Sequence, residues 1–436
     1  MANSVDPPSS PHRQESALAP GLASWEGGQA DGPAVGWEEH YWDSEPVAAG
    51  AMSRRARMSA RGPYRAAVPA RIANLTITLP PAVAAEAEDA LMEIARFDAE
   101  LTSALPAAGG EGQDEHGELA PLAAVLLRTE STSSSQIEDI TAGAKALALA
   151  TVGERTGPNA AMVAANVTAM QAAVAMSEDL SVDSIRTAHA ALMAGQDYAA
   201  PGRFRTGAVW IGGMAPTPHT ATFVPPHPSW VEAAMNDLIV FCHRTDVPVL
   251  AHAAIAHAQF ETIHPFADGN GRTGRVLVHA MLRAAGATRA MTVPVSAGLL
   301  TDAGSYFDAL TAYRDGDLTP IVTQFAHAAF TGVTNGRVLA EQLQGLYATW
   351  QQSLHARRDA AAWTVLPMLI RQPAVTVRWV ADHARVSQPA AQRAIDQLLT
   401  AGVLTPASAN RRNRVWIADD VTAALDDFAA RTGRRG

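Results

Sequence analysis

Apolar and small residues recur through the middle of the chain at the three- and four-residue spacing of helices, broken at intervals by Gly, Pro or Asp clusters. Pro80 and Pro81 open an Ala, Glu and Leu-rich segment that predicts a helix to about Leu105. Further helices are predicted over residues 135–151, 160–176, 182–193, 230–242, 249–263, 272–285, 305–313, 320–330 and 337–354. One stretch departs from this pattern. Val209, Trp210 and Ile211, and then Thr222, Phe223 and Val224, read as two short strands joined through Gly212, Gly213, Pro216 and Pro218. A lone hairpin is only marginally stable, so it must lie against the helices, and its exposed edge suits pairing with an extended segment of another protein. Residues 1–62 are rich in Pro, Gly, Ser, Ala and acids without sustained periodicity, which predicts a disordered tail.

The last eighty residues change character. A short helix over 376–384 is followed by Ser387, a good N-cap, with Pro389 early in the next helix. Ala391, Ala394, Ile395, Leu398 and Leu399 mark that helix's buried face, and Gly402 ends it. Two apolar runs then flank Arg411, Arg412, Asn413 and Arg414. The expected fold is therefore an all-α core with one β-hairpin, plus a small C-terminal winged helix-turn-helix domain of α+β type.

Length and composition sharpen the division. At roughly 150 residues per domain, 436 residues suggest about three units: after the tail, a helical region over 63–155, a core over 156–346, and the winged domain over 347–436. The single cysteine, Cys242, excludes an internal disulfide and fits a reducing, cytoplasmic setting. The N-terminal residues lack a basic region followed by an apolar run, and the most apolar window, 160–176, carries Asn166, Thr168 and Gln171, so neither a secretory signal nor a membrane span is expected. The formal net charge of -10 argues against a surface that grips nucleic acid throughout. Residues 357–436, however, hold twelve Arg and seven Asp with no Lys or Glu, a local charge of +5. If the C-terminal domain meets DNA, the 387–400 helix would enter the major groove with Gln388, Gln392 and Arg393 exposed, while Arg411, Arg412 and Arg414 of the wing would touch phosphates. The alternative is a winged helix used for packing or for a homodimer.

The richest chemistry lies in His264, Pro265, Phe266, Ala267, Asp268, Gly269, Asn270, Gly271, Arg272, Thr273, Gly274 and Arg275. Here one helix ends, a tight turn follows, and a second helix begins. Glycines let backbone N–H groups converge, and the unsatisfied N–H groups of the new helix add the positive end of its dipole, so the turn is suited to an anion such as a phosphate. Arg272 and Arg275, three apart, can face one ligand. Asp268 supplies a hard oxygen suited to Mg²⁺ shared with phosphates, and His264 is the residue here with a base's affinity near neutrality. Together they describe a phosphoryl or nucleotidyl transfer site without a P-loop.

This stretch resembles the signature of the Fic family: His, any, Phe, any, Asp or Glu, Gly, Asn, Gly, Arg, two residues, Arg. The likeness extends outward through Gly202, Arg203, Phe204 and Arg205, the hairpin with Trp210, and Phe260 and Glu261. The resemblance implies a protein adenylyltransferase that moves AMP from ATP to a Ser, Thr or Tyr hydroxyl. In that reading His264 is the base and Asp268 holds Mg²⁺. Gly269, Asn270 and Gly271 cradle the α- and β-phosphates, and Arg272 and Arg275 hold the β- and γ-phosphates. The hairpin, residues Val209, Trp210, Ile211, Gly212, Thr222, Phe223 and Val224, resembles the family's flap, which would dock a target protein or the chain itself. Ser134 and Glu138, four apart in a stretch expected to open a helix, resemble the family's inhibitory motif, with Glu138 pairing to Arg275. The family usually has Gly or Asn after that Glu, whereas this chain has Asp139. Two other readings stay open: removal of AMP through Glu138, and a DNA-binding regulator whose Fic core senses nucleotide.

Overall fold

The computed structural model describes residues 32–43, 61–102, 121–154, 156–175, 179–212, 217–289, 291–407 and 414–433. Eleven helices build the body: α1 (Pro81–Thr102), α2 (Pro121–Gln136), α3 (Ala144–Thr151), α4 (Pro158–Ala175), α5 (Val182–Leu192), α6 (Pro228–Cys242), α7 (Val249–Ile263), α8 (Asn270–Ala284), α9 (Val295–Thr301), α10 (Ala303–Arg314) and α11 (Thr319–Ser353). The sequence of α7, VLAHAAIAHAQFETI, is apolar or small on every side, which fits a helix only at a centre. It is buried from Leu250 to Ile263, with α1, α6, α8, α10 and α11 packed around it. The loop that carries His264 therefore leaves the most enclosed helix of the body, on a rigid base.

Several expectations are corrected. The predicted helix over 135–151 is divided: α2 stops at Gln136, and α3 starts at Ala144. Asp139 takes the left-handed conformation at φ 60, and the N–H groups of Asp139 and Ile140 donate to the carbonyls of Gln136 and Ser135, both at 3.0 Å. That pair of bonds is a Schellman ending, in which the left-handed position favours Gly or Asn and accepts the short polar Asp. The boundary expected at 346 and 347 falls inside α11, which runs unbroken through 35 residues.

The tail expected over 1–62 contains a strand. β1 (Gly36–Trp42) pairs antiparallel with β2 (Gly62–Val68), Gly36 opposite Val68. Its inward positions are not aliphatic: Glu38 accepts from Trp230 Nε1 at 3.0 Å, His40 stacks on His227, and Trp42 meets Trp210 edge-on. The hairpin at 209–224 is a single bridge between Ile211 and Phe223, because Gly212, at φ 71, turns the chain away one residue later. On its far side Val224 accepts from Ala67 N–H at 3.0 Å, so β2 already flanks the second strand.

Beyond α11 come α12 (Ala361–Arg371), β3 (Ala374–Val375), α13 (Val377–His383), α14 (Gln388–Thr400), β4 (Thr405–Pro406), β5 (Trp416–Ile417) and α15 (Asp419–Thr432), with the sheet in the order β3-β5-β4. Ser387 caps α14 as the sequence indicates, accepting from Ala390 N–H, while Thr376, expected as the first helical residue, instead caps α13 by accepting from Trp379 N–H. α15, which the sequence reading did not place, packs on α2, α3, α9 and α11.

Candidate functional site

His264 caps α7 in the left-handed conformation, φ 49 and ψ 60, with its N–H on the Phe260 carbonyl at 2.8 Å. A non-glycine residue held there costs about 1 kcal/mol and persists only when its surroundings insist. Arg205 supplies that constraint. Its buried guanidinium donates to the carbonyls of His264 (2.8 Å), Ile263 (3.3 Å), Gly207 (3.1 Å) and Pro226 (2.5 Å), and its own N–H reaches Pro265. Burial lowers the Arg205 pKa to about 10, which leaves the cation intact near neutrality. His264 Nδ1 is buried and faces Glu261 Oε2 at 3.5 Å, so Nε2 lies on the open side of the ring. Burial alone would raise the Glu261 pKa, but His264, His257 and Arg275 outweigh it and hold the carboxyl at about 2, ionised.

The turn that follows is closed from within. Asn270 Oδ1 accepts from Phe266 N–H at 2.8 Å while its Nδ2 donates to the Phe266 carbonyl at 2.9 Å, so Asn270 can offer an anion only its backbone. Phe266 is fully buried and anchors the loop in the core. Gly269 stands at φ 76, and a methyl there would strike Met193. The Asp268 carboxylate, 43% exposed, takes Gly269 N–H at 2.7 Å and the Tyr198 hydroxyl at 3.1 Å. His189, from α5, lies flat on Phe266 and bridges Gly202 and Asp268, and burial pushes its pKa down.

Both arginines of the turn are engaged by one carboxylate. Arg275 Nη2 donates to Glu138 Oε1 and Arg272 Nε to Glu138 Oε2, each at 2.8 Å. Only the first of these pairings was expected. Arg275 also donates to the Oγ and the carbonyl of Ser134, each at 2.7 Å. Burial opposes the Arg275 charge, yet Glu138, Tyr306 and Glu261 more than restore it, so its pKa is raised. A methyl on Gly271 would collide with the Glu138 carboxylate, which therefore lies directly on the turn that should receive an anion. α2 is fixed in this position by Glu130, a fully buried carboxylate that accepts from His279 Nε2 at 2.7 Å and from Ser296 N–H and hydroxyl.

Residues 179–282 match the model of the Fic/DOC family. Over that segment the chain is similar to the Fic/DOC family. It is 30% identical over 152 residues to protein adenylyltransferase fic-1 of Caenorhabditis elegans, covering 34% of this chain and 27% of that protein. It is also 30% identical over 149 residues to protein adenylyltransferase Fic of Nematostella vectensis, covering 34% of this chain and 31% of that one. The chain thus spans about three tenths of the length of these relatives. Among solved structures, a Fic family protein from Desulfovibrio desulfuricans G20 aligns at TM-score 0.48 and 20% identity over 78% of this chain and 97% of that one. Residues 134–508 of Fic-1 from C. elegans align at TM-score 0.41 and 19% identity, over 60% of this chain and 74% of that one.

Around the matched segment, the other predicted residues are spread more widely. Val209, Trp210 and Ile211 are half-buried, Gly212 and Thr222 exposed, and Phe223 and Val224 buried. Of the residues expected to meet DNA, Gln388, Arg393 and Arg414 are exposed, while Gln392 is half-buried and donates to Asp396 at 2.9 Å. Arg411 and Arg412 lie outside the described residues. The parts played by Arg205, Glu261, His189 and Glu130 escaped the sequence reading. Arg205 and Glu261 stand in the Fic-like surroundings; Glu261 meets His264 three residues on, whereas no spacing shows that Arg205 reaches Ile263 and His264, 58 and 59 residues away.

Proposed function

We propose that the protein is an autoinhibited protein adenylyltransferase. The observation that carries this reading is a base nitrogen open to a reactant, beside an anion turn whose two arginines are held by one carboxylate from the turn that ends α2. A target hydroxyl gives its proton to His264 Nε2 as its oxygen attacks the α-phosphorus of ATP. The bond to the β-phosphate oxygen breaks, AMP is left on the target, and pyrophosphate departs. The N–H groups at Asn270 and Gly271 and the start of α8, and that of Gly269 once it leaves the Asp268 carboxylate, receive phosphate oxygens. Arg272 and Arg275 take the outer phosphates once Glu138 releases them.

Asp268 would hold Mg²⁺. Among the described residues no cluster of three or more His, Cys, Asp or Glu could hold a metal unaided, and a single exposed carboxylate fits an ion that shares its coordination with substrate phosphates. When bound, the ion offsets negative charge on those phosphates.

The target's extended segment would pair along residues 209–211, because β2 flanks the other side of the bridge. The C-terminal elements are read as a winged helix-turn-helix, with exposed Gln388, Arg393 and Arg414 available to DNA. No helix among the described residues is long and apolar enough to cross a membrane; a cytoplasmic setting rests on the lone cysteine.

The test is incubation with ATP labelled at the α-phosphate and Mg²⁺, comparing wild type, Glu138→Gly and Glu138→Gly/His264→Ala. Protein label that is weak in the first, strong in the second and absent in the third is expected. Label in none of them, with nucleotide binding intact, would overturn transfer and favour AMP removal or nucleotide sensing.

A further inference from the structure

We infer that His189 is a positioning residue that holds the phosphate-binding turn against the Gly202–Arg205 segment. This inference rests on the adenylyltransferase reading of the same site. His189 sits on α5, 75 residues before His264, and is wholly buried. Its imidazole is parallel to the Phe266 ring, 2° between planes and 3.7 Å between centroids. The two ring nitrogens reach two separate pieces of backbone. Gly202 N–H donates to Nδ1 at 2.9 Å, and Nε2 lies 3.0 Å from the Asp268 carbonyl.

That pairing fixes the ring. A nitrogen that accepts from an amide carries no proton, so the proton is on Nε2 and is donated to Asp268. The Asp268 carbonyl belongs to the peptide unit whose N–H is that of Gly269, which donates to the Asp268 carboxylate at 2.7 Å at the mouth of the turn. Holding the carbonyl therefore sets the direction in which that N–H points. The other tether, Gly202, lies three residues before Arg205, whose guanidinium fixes the His264 backbone. One ring thus links the backbone that aims the base to the backbone that receives phosphate. A methyl at Gly269 would strike Met193, the C-cap of α5 four residues after His189, so the turn lies close against the end of this helix. The side chains act on the turn rather than on substrate, so the expected signature is in nucleotide affinity.

Three variants in the Glu138→Gly background separate the contributions. His189→Phe keeps the stack on Phe266 and loses both hydrogen bonds. His189→Gln can restore a donor to the Asp268 carbonyl, and His189→Asn can restore an acceptor for Gly202. The dissociation constant is measured for a non-hydrolysable ATP analogue with Mg²⁺, and KM and kcat are measured for ATP. His189→Phe is expected to weaken analogue binding and raise KM about tenfold with a smaller change in kcat, and His189→Gln to recover about threefold of that loss. A structural role alone would reduce the folded fraction, lowering apparent kcat with KM unchanged, and that result would overturn the inference.

Imidazole ¹⁵N shifts give a readout independent of transfer. A bare Nδ1 and protonated Nε2 are expected at His189, assigned by the signals missing from His189→Gln, and the opposite tautomer would overturn the inference. If Glu138→Gly binds the analogue and transfers nothing, the adenylyltransferase reading fails while the affinity and tautomer measurements still decide the part played by His189.

Discussion

Glu138→Gly should release nucleotide binding and transfer together, by an amount set by the contacts the carboxylate makes. Glu138 accepts one hydrogen bond from each of two buried guanidiniums, both at 2.8 Å. A hydrogen bond involving a charged group contributes about 1.5–3 kcal/mol net, so the two together hold the carboxylate in place with about 3–6 kcal/mol. Nucleotide must displace it. The released carboxylate is already 25% exposed and regains water, which offsets about half of that cost on the same scale. The remaining penalty of about 1.5–3 kcal/mol corresponds to about 10- to 150-fold in the competent fraction. Titration calorimetry with an ATP analogue and Mg²⁺, and initial rates of label transfer, should both rise by that factor in Glu138→Gly. Glu138→Gln keeps the shape and one neutral acceptor worth about 1 kcal/mol, so it should remain about fivefold inhibited relative to the glycine variant. Equal analogue affinity in wild type and Glu138→Gly, with transfer within threefold, would refute the reasoning, because the arginines would then reach phosphate without displacing Glu138.

The end of α2 should control the same restraint. Asp139→Gly, at φ 60, should add about 1 kcal/mol of stability, whereas the β-branched Asp139→Val should cost about 1–2 kcal/mol and raise basal transfer; a valine variant as inactive as wild type would separate the turn from the brake. Arg205→Lys cannot reproduce the fork onto four carbonyls, so turnover should fall about tenfold or more while analogue affinity holds, and equal losses in both would be the contrary result. Acid should weaken the fold through His257, whose pKa burial pushes down to about 4, with Glu261 opposing and Arg275 assisting. The folded ring is neutral and the unfolded one takes a proton near 6.5, so its contribution is whole above pH 6.5 and is lost as pH falls towards 4, up to about 3 kcal/mol. Urea midpoints at pH 7 and pH 4.5 should differ less in His257→Gln than in wild type, and an unchanged difference would count against the assignment.

What the sequence made legible follows from how far each feature reaches. The stretch from His264 to Arg275 is one loop and one helical turn, so its chemistry could be read from neighbouring residues. The gap predicted between 330 and 337 was a misreading of glycines that serve packing: in the intact α11 a methyl at Gly332 would strike the Pro294 carbonyl, and one at Gly336 the Phe97 ring. β1 was hidden for the opposite reason, since its alternation runs through Glu38, His40 and Trp42 rather than through aliphatic residues, and its pairing partner lies beyond residues 44–60. The end of α2 was missed because Asp139, not Gly or Pro, occupies the left-handed position. That conformation favours Gly or Asn and accepts the short polar Asp. Glu138 reaches Arg275, 137 positions along the chain, and no periodicity encodes such a contact. The local chemistry of the anion turn is therefore written in twelve consecutive residues, while its accessibility depends on α2, which Glu130 fastens to α8 and α9 one turn before Ser134 on the same face of the helix. A perturbation at Glu130 should accordingly change basal activity without touching the turn: Glu130→Gln, which weakens the tie to His279 but keeps its shape, should raise transfer in proportion to the loosening of α2, and unchanged transfer together with unchanged amide exchange in α2 would show that the helix is held by its apolar packing alone.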